Sequence, residues 1–182
     1  MGRIVVHEFI SLDGVVENPS WTMEFAFDPK MGAAIGQIMG SSRALLMGRH
    51  TYDLFAPAWS ARTGEDDPGA PFMNESPKYV VSATLQSPDW SNTTVAGAYQ
   101  PGAIRRLKQD HDGDLYVSGS ITLVRALLAD GLVDELHLFM YPIALGGGLK
   151  LFADGGPAAR FTLVAAETYA NGVVHLAYQP VG

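Results

Sequence analysis

The sequence predicts an α/β protein: a mainly parallel sheet with helices on both faces, finished by an antiparallel hairpin. Three observations carry that expectation. Six short aliphatic runs alternate with stretches of helical spacing, as in β-α-β units. Most of the runs are too uniformly apolar for a sheet with one wet face. The last two strand-like runs are joined by Asn171-Gly172, the strongest short hairpin signal.

In chain order, "RIVVHEF" (3–9) is the first strand, and Met31, Ile35, Ile38 and Met39 mark the first helix. "RALLMG" (43–48) is the second strand, and "TYDLFAPAW" (51–59) is a short helix stopped near Pro57, which has no N–H to donate. Residues 60–77, rich in Gly, Pro and acids, read as irregular, with Glu65, Asp66 and Asp67 in a solvated loop. "KYVVS" (78–82) and "NTTVAG" (92–97) are strands, and "PGAIRRLKQDHDG" is a helix opened by Pro101 and ended by Gly113. "DLYVSG" (114–119) leads into a helix through Leu123, Ala126 and Leu127, and "VDELHLFMY" (133–141) follows. The glycine-rich residues 145–157 read as a turn with a short buried segment rather than a lid. "RFTLVAAETYA" and "VVHLAYQ" form the closing hairpin.

Composition narrows the function classes. A chain of 182 residues without a biased linker is expected to be one domain, residues 1–182. Twelve basic against nineteen acidic residues, scattered along the chain for a net charge of −7, argue against a nucleic-acid surface. No apolar run approaches the roughly 18 residues of a membrane span. The absence of cysteine excludes disulfides and thiolate metal sites, and the opening "MGRIVVHEF" lacks signal-peptide features, so the expected location is cytoplasmic. No close histidine spacing points to a metal.

In open α/β sheets, ligands sit beyond the carboxyl ends of the strands, at helix N-termini. Two strand-glycine-helix junctions meet that description. At "LLMGRHTYDLF", Gly48 allows close backbone approach, Arg49 offers a planar fork for a phosphate, and Thr51 either caps the helix or binds phosphate. At "YVSGSITLVRALL", Gly119 permits close approach while Ser120 and Thr122 add hydroxyls. Such junctions occur in many α/β proteins, and no G-x-G-x-x-G fingerprint is present. On the first strand, His7 shares a face with Val5 and Phe9, whereas Glu8 lies with Ile4 and Val6, where an unpaired carboxylate is costly.

These residues also carry a resemblance. "LLMGRHTYD" resembles the strand-helix signature of dihydrofolate reductases. "GSITLVRALLADGLVDELHLFMYPIALGGGLKLF" (119–152) is similar to the reductase domain at the carboxyl end of the riboflavin-biosynthesis enzyme RibD, and "ISLDGVVENPSW" to the first loop of that superfamily. The resemblance implies a dihydrofolate-reductase-like three-layer fold with an eight-stranded sheet, and NADPH as cofactor. It places Gly48, Arg49 and Thr51 at cofactor phosphates, Ser82 at the adenosine 2′-phosphate, and Gly119, Ser120, Ile121 and Thr122 under the pyrophosphate. At the substrate end, the place of the usual first-helix carboxylate falls on Ala26, between Glu24 and Asp28. That departure puts dihydrofolate itself in doubt. The similar "S-x-D-G" of RibD-like reductases favours Asp13 as the acid, with Trp21 and Glu24 beside the substrate.

The implied activity is an NADPH-dependent reductase that delivers hydride to a small pyrimidine- or pterin-like heterocycle or a conjugated carbonyl compound. Pairing as a homodimer is a family-level expectation. A complete bifunctional riboflavin enzyme is excluded, since its deaminase partner needs zinc-binding cysteines. A non-catalytic NADP-binding or regulatory module and a ligand-free structural dimer subunit remain as alternatives.

Overall fold

The computed structural model describes residues 1–181. All eight strand-like runs form one sheet: β1 (Ile4–Ile10), β2 (Ser42–Gly48), β3 (Lys78–Val81), β4 (Thr93–Gly97), β5 (Asp114–Ser118), β6 (Glu135–Met140), β7 (Phe161–Thr168) and β8 (Val174–Pro180). Their order is β4-β3-β2-β5-β1-β6-β8-β7, parallel except that β8 runs antiparallel to both β6 and β7.

Two apolar cores cover the sheet. The helices α4 (Pro101–Asp110) and α5 (Ile121–Ala129) press Ile104, Leu123, Val124 and Leu127 onto Ile4, Val6, Leu46 and Val117. On the opposite face, α1 (Pro29–Ser41), α2 (Arg49–Trp59) and the short α3 (Ala70–Glu75) supply Met31, Ile38, Tyr52 and Met73 against Val5, Leu45, Met47 and Phe139. Central strands buried on both faces explain why those runs are continuously apolar.

Local signals set most boundaries. Asp28 caps α1, its carboxylate accepting the N–H groups of Lys30 and Met31, with Pro29 as the first helical residue. α2 departs from expectation by running two residues beyond Pro57 to Trp59, its last turn tolerating the missing donor. Residues 60–77 also hold more structure than expected. Asn74 of α3 donates to the carbonyls of Trp59 and Arg62 and accepts from the Trp90 indole. Lys78, fully buried, gives its ammonium to the carbonyls of Asn74, Ser76 and Ser91, and burial lowers its pKa to about 8. Glu65 and Asp66 stay exposed on the loop before α3. The Asn171-Gly172 hairpin forms, but only Gly172 is left-handed, at φ 86°; the turn is the three-residue kind with a glycine bulge.

Candidate functional site

The sheet order creates a switch point between β2 and β5. The chain leaves β2 outward toward β3 but leaves β5 in the other direction, across β1 to β6, so the helices after these neighbouring strands diverge. Both strands end in the glycine junctions singled out in the sequence, and the structure brings those junctions together. Ser120 Oγ accepts the Gly48 N–H at 2.9 Å and donates to Thr51 Oγ1 at 2.8 Å. Gly119 and Ser120 turn sharply, at φ 65° and 60°, with Ser120 in a left-handed conformation that non-glycine residues seldom adopt.

Neither α2, beginning at Arg49 after its cap Gly48, nor α5, beginning at Ile121 after its cap Ser120, has a side-chain cap. Two helix N-termini therefore meet with their first N–H groups uncapped, the arrangement that attracts an anion. Thr51 is buried in the first turn of α2 and serves the Ser120 hydroxyl rather than capping the helix, which settles one of its two readings. Arg49 is partly exposed, its Nε donating to both carboxylate oxygens of Asp53 at 2.8 and 2.9 Å. An exposed pair one helical turn apart holds weakly and yields readily to a phosphate. Ser82 follows β3, and its buried hydroxyl accepts the N–H groups of Thr84 and Leu85. It closes a turn beside the start of α2, since Val81 and Gly48, the residues before Ser82 and Arg49, are register partners.

The substrate-side residues need more correction. Asp13 accepts hydrogen bonds from the Ser11 hydroxyl at 2.6 Å and from the N–H groups of Leu145 and Gly146 at 3.1 and 2.7 Å. Those donors, the Ser11 hydroxyl foremost, lower its pKa to about 2. These hydrogen bonds favour the ionised form, and in this structure Asp13 clasps two loops together. It ties the loop 11–17 to the segment 143–151, where Glu17 accepts the Leu149 N–H and Val15 bridges Lys150. Leu151, fully buried, anchors that segment, which is a fastened turn and not a lid.

Asp28 is likewise committed. Although burial raises its pKa, the N–H groups of Ala170, Lys30 and Met31 outweigh that and leave it lowered. Glu24 is exposed at the end of the short 3-10 helix Pro19–Glu24 and makes no hydrogen bond or ion pair among the described residues. Trp21 is buried and packs edge-on against Tyr141, with ring centroids 5.5 Å apart, so it is a wall of the aromatic core with Phe9 and Phe25.

Two features exceeded the sequence reading. Glu8, only 3 % exposed, carries one oxygen with no partner; burial pushes its carboxyl well above the usual range, against the opposing pull of the Gly119 N–H. A cavity of about 350 Å³ lies at the opposite end of the sheet, between α1 and β6, β7 and β8. There His137 and His175 share a 2.9 Å hydrogen bond, and His137 also meets Glu135 at 2.8 Å. Burial lowers both histidine pKa values, His175 to about 4, with Glu135 pulling that of His137 the other way. The polar groups of the pair satisfy one another, whereas the two helix N-termini have no side-chain caps, which makes the latter the candidate site. Among the described residues no cluster of His, Asp or Glu is arranged to hold a metal ion, and no helix is long and apolar enough to cross a membrane.

The chain and its fold have known relatives. The chain is 26% identical over 97% of its length to the uncharacterized protein YyaP of Bacillus subtilis (strain 168), covering 94% of that protein. Its fold matches a putative riboflavin biosynthesis protein from Shewanella sp. PV-4, with a TM-score of 0.80 at 21% identity and complete coverage of both chains. It also matches a diaminohydroxyphosphoribosylaminopyrimidine deaminase/5-amino-6-(5-phosphoribosylamino)uracil reductase from Thermotoga maritima, with a TM-score of 0.70 at 16% identity, over 99% of this chain and 57% of that one. The model of the RibD C-terminal domain matches residues 3–175, and this chain belongs to that family.

Proposed function

We propose that this protein is an NADPH-dependent reductase that transfers hydride to a small heterocycle of pyrimidine or pterin type, or to a conjugated carbonyl compound. The observation that carries the reading is the meeting of two uncapped helix N-termini, at Gly48 and Ser120, beside a cationic side chain, Arg49. Membership in the RibD C-terminal domain family, with a structural relative described as a uracil reductase, supports the same chemistry.

NADPH, when bound, supplies the hydride. The residues present fit its charged half. The amides of Ile121 and Thr122 opening α5 would receive the pyrophosphate, with Gly119 allowing close approach. Gly48 and Thr51 keep the neighbouring helix end in place. Arg49, released from Asp53, would grip the extra phosphate that separates NADPH from NADH. Ser82 would shape the adenosine side through its turn rather than through its hydroxyl.

On the substrate side, Trp21 and the clasp formed by Asp13 fix the wall, and Glu24 is the carboxylate left free to meet the acceptor. With Asp13 and Asp28 both held as ionised acceptors, a second reading keeps support: a module that binds NADP and lacks an acid. Turnover separates the two. Oxidation of NADPH with a pyrimidine or pterin acceptor establishes the reductase, whereas saturable binding without turnover against a broad panel favours the module.

The reading includes a cytoplasmic location and a second copy of the chain as partner. β7 is an edge strand exposed on both faces, with Leu163 and Val164 each 52% exposed. A long apolar edge without proline or lysine is a site that proteins usually cover. Leu163→Lys should turn a dimer into a monomer in light scattering; an unchanged mass would remove β7 from the interface.

A further inference from the structure

Glu8 sits on the face of β1 that packs beneath α4 and α5, in line with Ile4, Val6 and Ile10. An acid there costs stability, and an aliphatic residue would serve the core better. One carboxyl oxygen has no hydrogen-bond partner, and the backbone group acting on the carboxyl is the N–H of Gly119. β1 runs beside β5 with His7 opposite Ser118, so Glu8 lies against the start of the Gly119–Ser120 turn. That turn, with two successive left-handed residues, is tied laterally by the Ser120 hydroxyl to Gly48 and Thr51, and Glu8 faces it from the core side.

We propose that Glu8 is a positioning residue: its carboxyl fixes the Gly119–Ser120 turn from within the core, so that the first amides of α5 face an anionic dinucleotide. The inference rests on the NADPH reading above for the identity of the ligand, and on the turn itself for the clamp. Burial disfavours the charged form and raises the carboxyl pKa well above the usual range, which lessens the repulsion a carboxylate would exert on neighbouring phosphates. The other titratable groups on the elements packed around it are few. β5 supplies Tyr116, which senses the Glu8 charge; α5 supplies Arg125, already donating to the carbonyls of Lys150 and Leu151; Lys150 pairs with Asp154; and the β6 register partner is the apolar Leu138.

The test compares the wild type with Glu8→Leu and Glu8→Gln by amide hydrogen exchange across residues 119–122 in the free protein and by NADPH affinity from pH 6 to 9. Glu8→Leu should exchange faster at the turn and bind NADPH at least about tenfold more weakly. Glu8→Gln should restore both and flatten the loss of affinity that the wild type shows as pH rises. Because the folded pKa is raised, the wild type should also lose stability relative to Glu8→Gln as pH climbs above the ordinary carboxylate range, about 4.3. Wild-type exchange and affinity in Glu8→Leu would overturn the proposal. If no form binds NADPH, the reductase reading fails, while exchange at the turn still decides the clamp: faster exchange in Glu8→Leu upholds it and unchanged exchange overturns it. Should Glu8→Leu not fold, a Glu8→Gln protein with the pH profile of the wild type in both stability and exchange overturns it.

Discussion

Two glycine-rich regions beyond the carboxyl ends of the parallel strands look alike in sequence and behave oppositely in the fold. In the 143–151 segment, the chain fills its own vacancies: the Leu145 and Gly146 N–H groups go to Asp13, that of Leu149 goes to Glu17, and Leu151 plugs the core. At the 48–51 and 119–122 turns, it does not. Two helices begin there without side-chain caps, and the hydroxyl of Ser120, a cap residue by position, is spent joining one turn to the other. The contrast teaches where to look for a ligand. Backbone donors that the chain satisfies itself are architecture, and donors it gathers and leaves open are a site.

The largest expected effect belongs to the closed region. Leu151→Ala removes a fully buried side chain and should lower unfolding free energy by about 2–5 kcal/mol in urea titration, with the 143–151 amides exchanging first. A small loss would mean that the segment is a lid after all. In the open region, Arg49→Ala should weaken NADPH by about tenfold, roughly 1.4 kcal/mol, and NADH far less; equal losses would deny Arg49 the extra phosphate. Ser120→Ala leaves the Gly48 N–H without its acceptor and should cost about 1 kcal/mol of stability, together with looser dinucleotide binding. If only stability changes, the junction is structural.

The smallest effect is in acid. Asp13 has a depressed folded pKa, so its contribution is present above the ordinary carboxylate range and is lost as pH falls toward about 2. Asp13→Asn should therefore flatten the acid limb of a stability profile. It should leave the pH dependence of turnover near neutrality unchanged, and a shifted neutral profile would return Asp13 to the role of acid.

Most of the fold was legible because it is written in short-range pattern. β1 through β6 announce themselves as apolar runs, and Asp28-Pro29 and Asn171-Gly172 mark a helix start and a turn that both exist. α3 was hidden in a stretch whose Gly, Pro and acidic residues mask a six-residue helix, tied down by its own Asn74 and by Lys78 beyond its end. The two strand-helix junctions of the candidate site were legible for the same reason as the strands, since a glycine at such a junction is local. The role of Asp13 was not, because its donors lie 132 and 133 residues away and appear only when the two loops close on each other. His137 and His175 were equally unreadable as a pair, being brought together only by β8 returning beside β6. Glu8 was visible as a costly residue, but its neighbour Gly119 lies in the turn after β5, far away in sequence.

The most direct test of the central claim is thermal unfolding of the protein with a concentration series of NADPH, set against NADH and inorganic phosphate. At about a hundred times its dissociation constant a ligand adds roughly 2.7 kcal/mol to stability, a clear rise in midpoint. The account expects NADPH to raise the midpoint well above NADH and phosphate, and Arg49→Ala to erase that difference. No shift with either dinucleotide would contradict the claim that the open helix ends are a cofactor site.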